Sequence, residues 1–357
     1  MTLKFTNIAS INKEIPQLVE QSSNKGYVQY GNDNGFPNYI WELYNNSALF
    51  SSIVTTMSDY IFGDGVESSN LPKFVNRKYE TIEDITKKLI LDNILYGGFA
   101  FQIIRNKLNE IVEIIHIDFR NVRINENEDT VYYSDFTTKK RKNVISYPRY
   151  TIDCPYPNSI YYYKGNSKLH YPTPMYIGAL KSIEITTQIT DFHLNQILNS
   201  FAPSAIVNFN NGIISESEME ELEQKINEKF QGTQNSGRIL LSFNNDTEHS
   251  TTIERLSDDG FDTKYQALAE QTKNDIYVGF RINPILLGYN TVSGFNKQEF
   301  SEAFTLYQKT VIQAFQKNIE RVFNTIFGDN TLKFIPFKID WGNEKESGYI
   351  PTQQETE

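Results

Sequence analysis

Along the last third of the chain, Phe300, Phe304, Tyr307, Val311, Phe315, Ile319, Val322 and Ile326 follow one another at intervals of three and four. That spacing lines them on one stripe of an amphipathic helix. The pattern predicts a helix from Gln298 to Phe327, and roughly thirty residues at about 1.5 Å each make a spine of ~45 Å. Glu299 and Glu302 open it at the positive end of the helix dipole, Lys317 and Arg321 lie toward the negative end, and Gly328 stops it. A second helix is predicted from Phe261 to Gly279, followed by FRINPILLG, in which Pro284 removes a donor and restricts Asn283. Between the two helices lies the Gly/Ser/Asn-rich segment GYNTVSGFNK.

Elsewhere the periodicity changes character. In GNDNGFPNYIWELYNNSALFSSIVTTMSDYIFGDG the apolar positions suggest two short helices joined around Asn45 to Ser47. From about Leu89 to Tyr163 the pattern reads mostly as strand: FAFQIIRN, the turn KLNE and IVEIIHIDF form a hairpin, and VRINEN and TVYYSD continue a meander. The Pro- and Tyr-rich stretch SYPRYTIDCPYPNSIYYYKG predicts irregular or edge structure. From about Thr173 the chain turns helical until Pro203. An insertion follows, with AIVNFN and RILLSF as strands around a charged helix, SESEMEELEQKINEKF. That helix opens on a capping box of Ser215 and Glu218. The whole is an α+β chain.

Composition narrows the function classes. The 357 residues allow two or three domains, and 39% hydrophobic residues suffice for cores. The single cysteine, Cys154, rules out an intramolecular disulfide framework and fits a reducing compartment. No secretory signal and no membrane-spanning apolar run are expected. A net charge of −10 argues against a broad phosphate-neutralising surface.

Candidate chemistry is sparse. His116, His170, His193 and His249 lack metal-ligand spacing, so no metal or cofactor is expected. Asp258 and Asp259 before Gly260 read as a turn and helix entry, although with the Glu-rich helix they also define the alternative of a carboxylate-based hydrolase. Gly63 with Gly65 and Gly97 with Gly98 match no phosphate-cradling motif. The 24 Phe and 22 Tyr follow helix stripes and strand faces and read as core and subunit packing.

From about Gly31 to Gly328 the order of these pieces resembles the portal proteins of tailed bacteriophages. The resemblance is carried by the helix pair of GNDNGFPNYIWELYNNSALFSSIVTTMSDYIFGDGV and by LYGGFAFQIIRN with IIHIDFRNVRI. It is carried also by the helix, insertion and helix leading to FRINPILLG, and by QEFSEAFTLYQKTVIQAFQKNIERVFNTIFG. It implies a non-enzymatic, dodecameric ring at one capsid vertex through which double-stranded DNA is packaged and ejected. The implied partners are the large terminase, the major capsid and scaffolding proteins and a head-tail connector. The implied location is the virion, after assembly in the host cytoplasm, with no membrane partner. Another ring-forming head-to-tail adaptor is the neighbouring alternative.

Laid on this sequence, the resemblance makes 1–172 an amino-terminal arm and wing, 173–201 a stem helix and 202–245 a clip. Residues 246–287 become a strand and returning stem helix, 288–297 a tunnel loop, 298–328 a long kinked wing helix and 329–357 a C-terminal strand and polar tail, the crown being reduced or absent. Tyr289, Asn290, Thr291, Val292, Ser293, Gly294, Phe295, Asn296 and Lys297 would then face DNA. Asn208, Asn210, Glu216, Glu218, Glu220, Glu221, Glu223 and Arg238 would dock terminase or connector.

Overall fold

The computed structural model describes residues 17–23, 25–32, 34–136, 144–198, 205–209, 239–243, 261–288 and 296–338. The chain divides into two compact units, one of residues 1–45, 51–177 and 281–357, the other of 46–50 and 178–280.

Among the described residues of the first unit, β1 (Glu20–Ser22) comes first and pairs antiparallel to β2 (Val28–Tyr30). Helices α1 (Phe36–Asn46) and α2 (Ala48–Phe62) follow, broken at Ser47 where the sequence placed the joint. After β3 (Gly65–Ser68) comes α3 (Ile82–Tyr96), a helix in a stretch whose second half, from Leu89, the sequence reading assigned to strand. Its start is a capping box. Thr81 Oγ1 accepts from Asp84 N–H at 3.3 Å and Asp84 Oδ2 accepts from Thr81 N–H at 2.8 Å. Gly97, at φ 80°, closes the far end by donating to Asn93 O. Ile82, Ile85, Leu89, Ile90 and Ile94 are all buried, spaced for a helix that is covered on several sides and not for alternation.

The Thr81 N–H and hydroxyl hold the Asp84 carboxyl below the usual carboxylate range. A lowered pKa contributes stability above the ordinary value, lost as pH falls through the folded one. Thr81→Ala is therefore expected to cost about 1 kcal/mol at neutral pH, with the difference from wild type shrinking in acid. Urea unfolding at the two pH values checks this.

Strands β4 (Phe99–Arg105) and β5 (Ile111–Ile117) form the expected hairpin, its turn tied by Asn106 Oδ1, which accepts from the N–H of Leu108 and of Glu110. A second antiparallel sheet consists of β6 (Val122–Ile124), β7 (Thr130–Tyr133) and β8 (Ile145–Pro148). The Tyr-rich segment supplies β9 (Asn158–Tyr163), an edge strand antiparallel to β4 in the order β5-β4-β9. Stacked cross-strand rings, Phe99 on Tyr163 at 4.6 Å and Phe101 on Tyr161 at 5.2 Å, hold that pairing.

Within β6, Arg123 is fully buried. Its Nε donates to Asn34 Oδ1, its Nη1 to the carbonyls of Arg120 (2.8 Å) and Val122 (2.7 Å), and its Nη2 to Asn34 O (2.8 Å). The guanidinium also lies 4.4 Å from the Phe136 ring centre.

The second unit contains α4 (Leu180–Leu198), led in by a 3-10 turn at Ile177–Ala179 whose first residue still belongs to the first unit. The sequence placed the helical start near Thr173. Pro174 disfavours helical geometry at Thr173, and Thr173 O is packed against Gly97 so closely that a Cβ there would meet it at 2.5 Å. Strands β10 (Ala205–Phe209) and β11 (Ile239–Phe243), both expected, pair in parallel. Helix α5 (Phe261–Phe280) lies against α4, with Ser182 Oγ 3.1 Å from Asp275 Oδ2 and with Ile183 and Ile276 buried.

Back in the first unit are a 3-10 turn (Pro284–Leu287), α6 (Lys297–Tyr307), a π-helical turn (Gln308–Ile312) and α7 (Gln313–Phe327). The last element among the described residues is β12 (Leu332–Ile335), antiparallel to β3. No helix among the described residues is long and apolar enough to cross a membrane, and no cluster of three or more metal-ligating side chains occurs among them.

Candidate functional site

The segment that the sequence singles out most strongly is the connection between the 3-10 turn and α6. Its approach is built from local rules. Arg281 takes a left-handed φ of 53°, which breaks the chain away from its preceding helix. Asn283 Oδ1 then accepts from Ile285 N–H at 3.0 Å and Pro284 starts the 3-10 turn, where a missing N–H costs nothing. Gly288 closes it at φ 70°. On the far side Asn296 caps α6, its Oδ1 accepting from Gln298 N–H (3.0 Å) and Glu299 N–H (3.3 Å).

Both ends are seated on one aromatic cluster. Tyr60 of α2 donates its hydroxyl to Leu286 O at 2.7 Å, and its ring meets Phe304 edge-on at 5.2 Å and Phe337 at 5.3 Å. Phe300 stacks on Phe304 one turn along α6. Ile285, Leu286, Phe300, Phe304 and Tyr307 are buried. Burial pushes the Tyr60 hydroxyl up from its ordinary pKa, with the Asp59 charge adding to it, and burial does the same to Tyr307. Both phenols therefore stay neutral at physiological pH, and Tyr60 acts as a hydrogen-bond donor.

Residues 289–295 lie outside the described residues. Of the predicted DNA-facing set, Asn296 is the α6 cap and Lys297 is exposed in its first turn. Of the predicted docking set, Asn208 falls in β10, while Asn210, Glu216, Glu218, Glu220, Glu221, Glu223 and Arg238 lie outside the described residues, as do Asp258 and Asp259. The anchors Tyr60, Leu286 and Phe337 were not singled out in the sequence, since only the fold brings them to Phe304.

The spine departs from a straight helix in an informative way. Phe300, Phe304, Tyr307 and Val311 are buried, as the stripe requires. Beyond them the buried set is Ile312, Gln316, Ile319, Val322 and Phe323, whereas Phe315 and Ile326 are only half-buried. The π turn widens one turn of helix by a residue, so Ile312 joins Val311 in the core and the buried position one turn on is Gln316 in place of Phe315. The buried Gln316 is satisfied by donating its amide to Ile61 O at 2.8 Å. This corrects the expectation of a single unbroken stripe.

The family model described as phage portal protein matches residues 64–344, more than half of the chain. The chain belongs to the phage portal protein family. Among solved structures, this portal chain is similar to the neck of a native gene transfer agent (GTA) particle computed with C12 symmetry, at 14% identity over 84% of each chain with a TM-score of 0.53. It is also similar to an HK97 family phage portal protein from Corynebacterium diphtheriae, at 15% identity over 83% of this chain and 94% of that one, TM-score 0.51. At such identities the likeness establishes the portal fold alone. Two curated relatives are uncharacterized proteins of Rickettsia bellii (26% identical over 174 residues, 45% of this chain and 43% of the relative) and Rickettsia felis (25% over 157 residues, 43% and 39%). The chain thus spans less than half the length of the curated relatives it matches. The portal protein family is structural and not enzymatic.

Proposed function

We propose that this portal chain is the repeating subunit of a ring, twelvefold in the virion, through which double-stranded DNA enters and leaves the capsid. In this reading residues 289–297 face the duplex. The observation that carries it is the seating of both ends of the 289–295 segment. An Asn-capped helix and a Pro-initiated turn share the Tyr60 cluster, which supports a fixed base on either side of residues 289–295. The gene transfer agent neck computed with C12 symmetry supports the subunit number.

The charge suits a conduit. A chain of net charge −10 does not grip phosphates, and screening over about 8 Å at physiological salt confines its repulsion of the duplex to short range. Asn290, Thr291 and Ser293 offer exchangeable, sequence-independent hydrogen bonds. The acidic residues Glu216 to Glu223, with Asn208, Asn210 and Arg238, form the docking surface for terminase and connector, and the capsid and scaffolding proteins meet the ring elsewhere.

Deleting residues 290–295 while keeping the Asn296 cap tests the reading. Negative-stain images are expected to show rings with a central hole, as for wild type, while DNA packaging in a reconstituted or in vivo assay falls to background. Normal packaging by the deleted ring removes the DNA-facing role. Failure to form rings reassigns the segment to subunit contact.

A further inference from the structure

The turn between β3 and α3 has no part in the DNA-conduit reading, and it carries an unusual surface. From Ser69 to Tyr79 it contains Lys73, Arg77 and Lys78 and no acidic residue, in a chain of net charge −10. Its backbone is tightly tied. Val75 N–H donates to Glu80 O and Ile114 N–H to Val75 O, each at 2.8 Å. The buried Asn76 donates to Ile114 O (3.1 Å) and Glu80 Oε2 (2.6 Å) and accepts from Lys78 N–H (2.9 Å).

This frame holds Tyr79 at φ 60°, a strained backbone for a bulky residue, with its side chain 75% exposed. No burial offsets that strain. Phe74, 44% exposed, meets the Tyr79 ring edge-on at 5.6 Å, and Lys73 Nζ lies 5.4 Å from the Phe74 ring centre. Arg77 is held 2.8 Å from Glu113, which neutralises that carboxylate. Beside the platform lies a groove of about 260 Å³, lined chiefly by Leu71, Pro72, Val75, Val112, Ile326 and Phe327, with the Arg77-paired Glu113 also in its wall.

We propose that the groove and its aromatic, basic rim dock an extended acidic segment of a partner protein, with a bulky apolar side chain in the groove and carboxylates on Lys73 and Lys78. Charge complementarity selects the sign of the partner. Exposed aromatic rings beside an apolar pocket supply the anchoring. Ile114 has both its outward N–H and its carbonyl already engaged by Val75 and Asn76, so side chains and not a new strand on β5 read the partner. A nucleic acid would leave the apolar groove unused.

The test titrates the full chain into three fluorescein-labelled peptides: one alternating glutamate with phenylalanine, one with lysine replacing glutamate, and one with alanine replacing phenylalanine. Labelled oligothymidylate is run in parallel. The acidic aromatic peptide alone is expected to bind saturably. K73E/K78E is expected to weaken it about tenfold, the scale of two exposed ion pairs, and V112D, at the groove's half-exposed edge, to weaken it comparably. Circular dichroism establishes that each variant is folded; should V112D unfold, the double variant, changed only at exposed positions, decides.

Absence of saturable binding, or binding that both variants leave unchanged, overturns the proposal. Oligothymidylate binding lost in the same variants reassigns the surface to nucleic acid. Self-association lost in the same variants reassigns it to a second copy of the chain.

Discussion

Arg123→Met is expected to lower stability by roughly 3–5 kcal/mol. Methionine fills much of the volume and relieves the cost of holding a guanidinium away from water, a cost visible in the downward push of burial on the Arg123 pKa. It cannot donate. The carbonyls of Asn34, Arg120 and Val122 then each lose a donor, as does the Asn34 side-chain oxygen, which keeps the Tyr30 N–H; these acceptors are buried or half-buried, and each one left unsatisfied costs about 1–3 kcal/mol. Asn34 adopts φ 64°, a backbone that these same contacts help to hold. Arg120 provides the contrast. It is partly exposed, paired with Asp118 and stacked 4.3 Å from Trp41, so Arg120→Met is expected to cost about 1 kcal/mol or less. Chemical denaturation of the two variants measures the gap, and an Arg123→Met variant within about 1 kcal/mol of wild type contradicts the assigned role of the guanidinium.

Local pattern made several elements readable. The joint between α1 and α2, the β4–β5 hairpin, the two strands of the second unit and the proline-governed break after α5 are each signalled by residues within a few positions of the feature. Helix α3 was equally signalled, by Thr81 and Asp84 in capping-box spacing ahead of Ile82 and Ile85, but its dense apolar content from Leu89 onward mimics a buried strand. The role of Arg123 was out of reach, because two of its acceptors come from Asn34, eighty-nine positions away. For the candidate site, Asn296 and Pro284 mark the edges of the connection in the sequence itself, whereas Tyr60 becomes its anchor only through tertiary packing. The π turn has no sequence flag at all: QKTVI holds neither proline nor glycine, and the Gln316 bond to Ile61 O that accompanies it joins positions 255 residues apart.

That widening yields a second large effect with a built-in control. A straight spine would place Phe315 in the core. The π turn instead leaves Phe315 half-buried and puts Phe323 fully inside, 5.4 Å from Phe101 of the central strand β4 and nearly parallel to it. Phe323→Ala is expected to cost about 3–5 kcal/mol, because it removes a complete aromatic side chain from between the sheet and the helix and leaves a cavity. Phe315→Ala, which strips a ring that solvent already touches, is expected to cost less than half as much. Equal losses would indicate that the helix runs without the inserted residue. A larger loss at Phe315 than at Phe323 would place the opposite face of α7 on the sheet and disconnect the spine from β4.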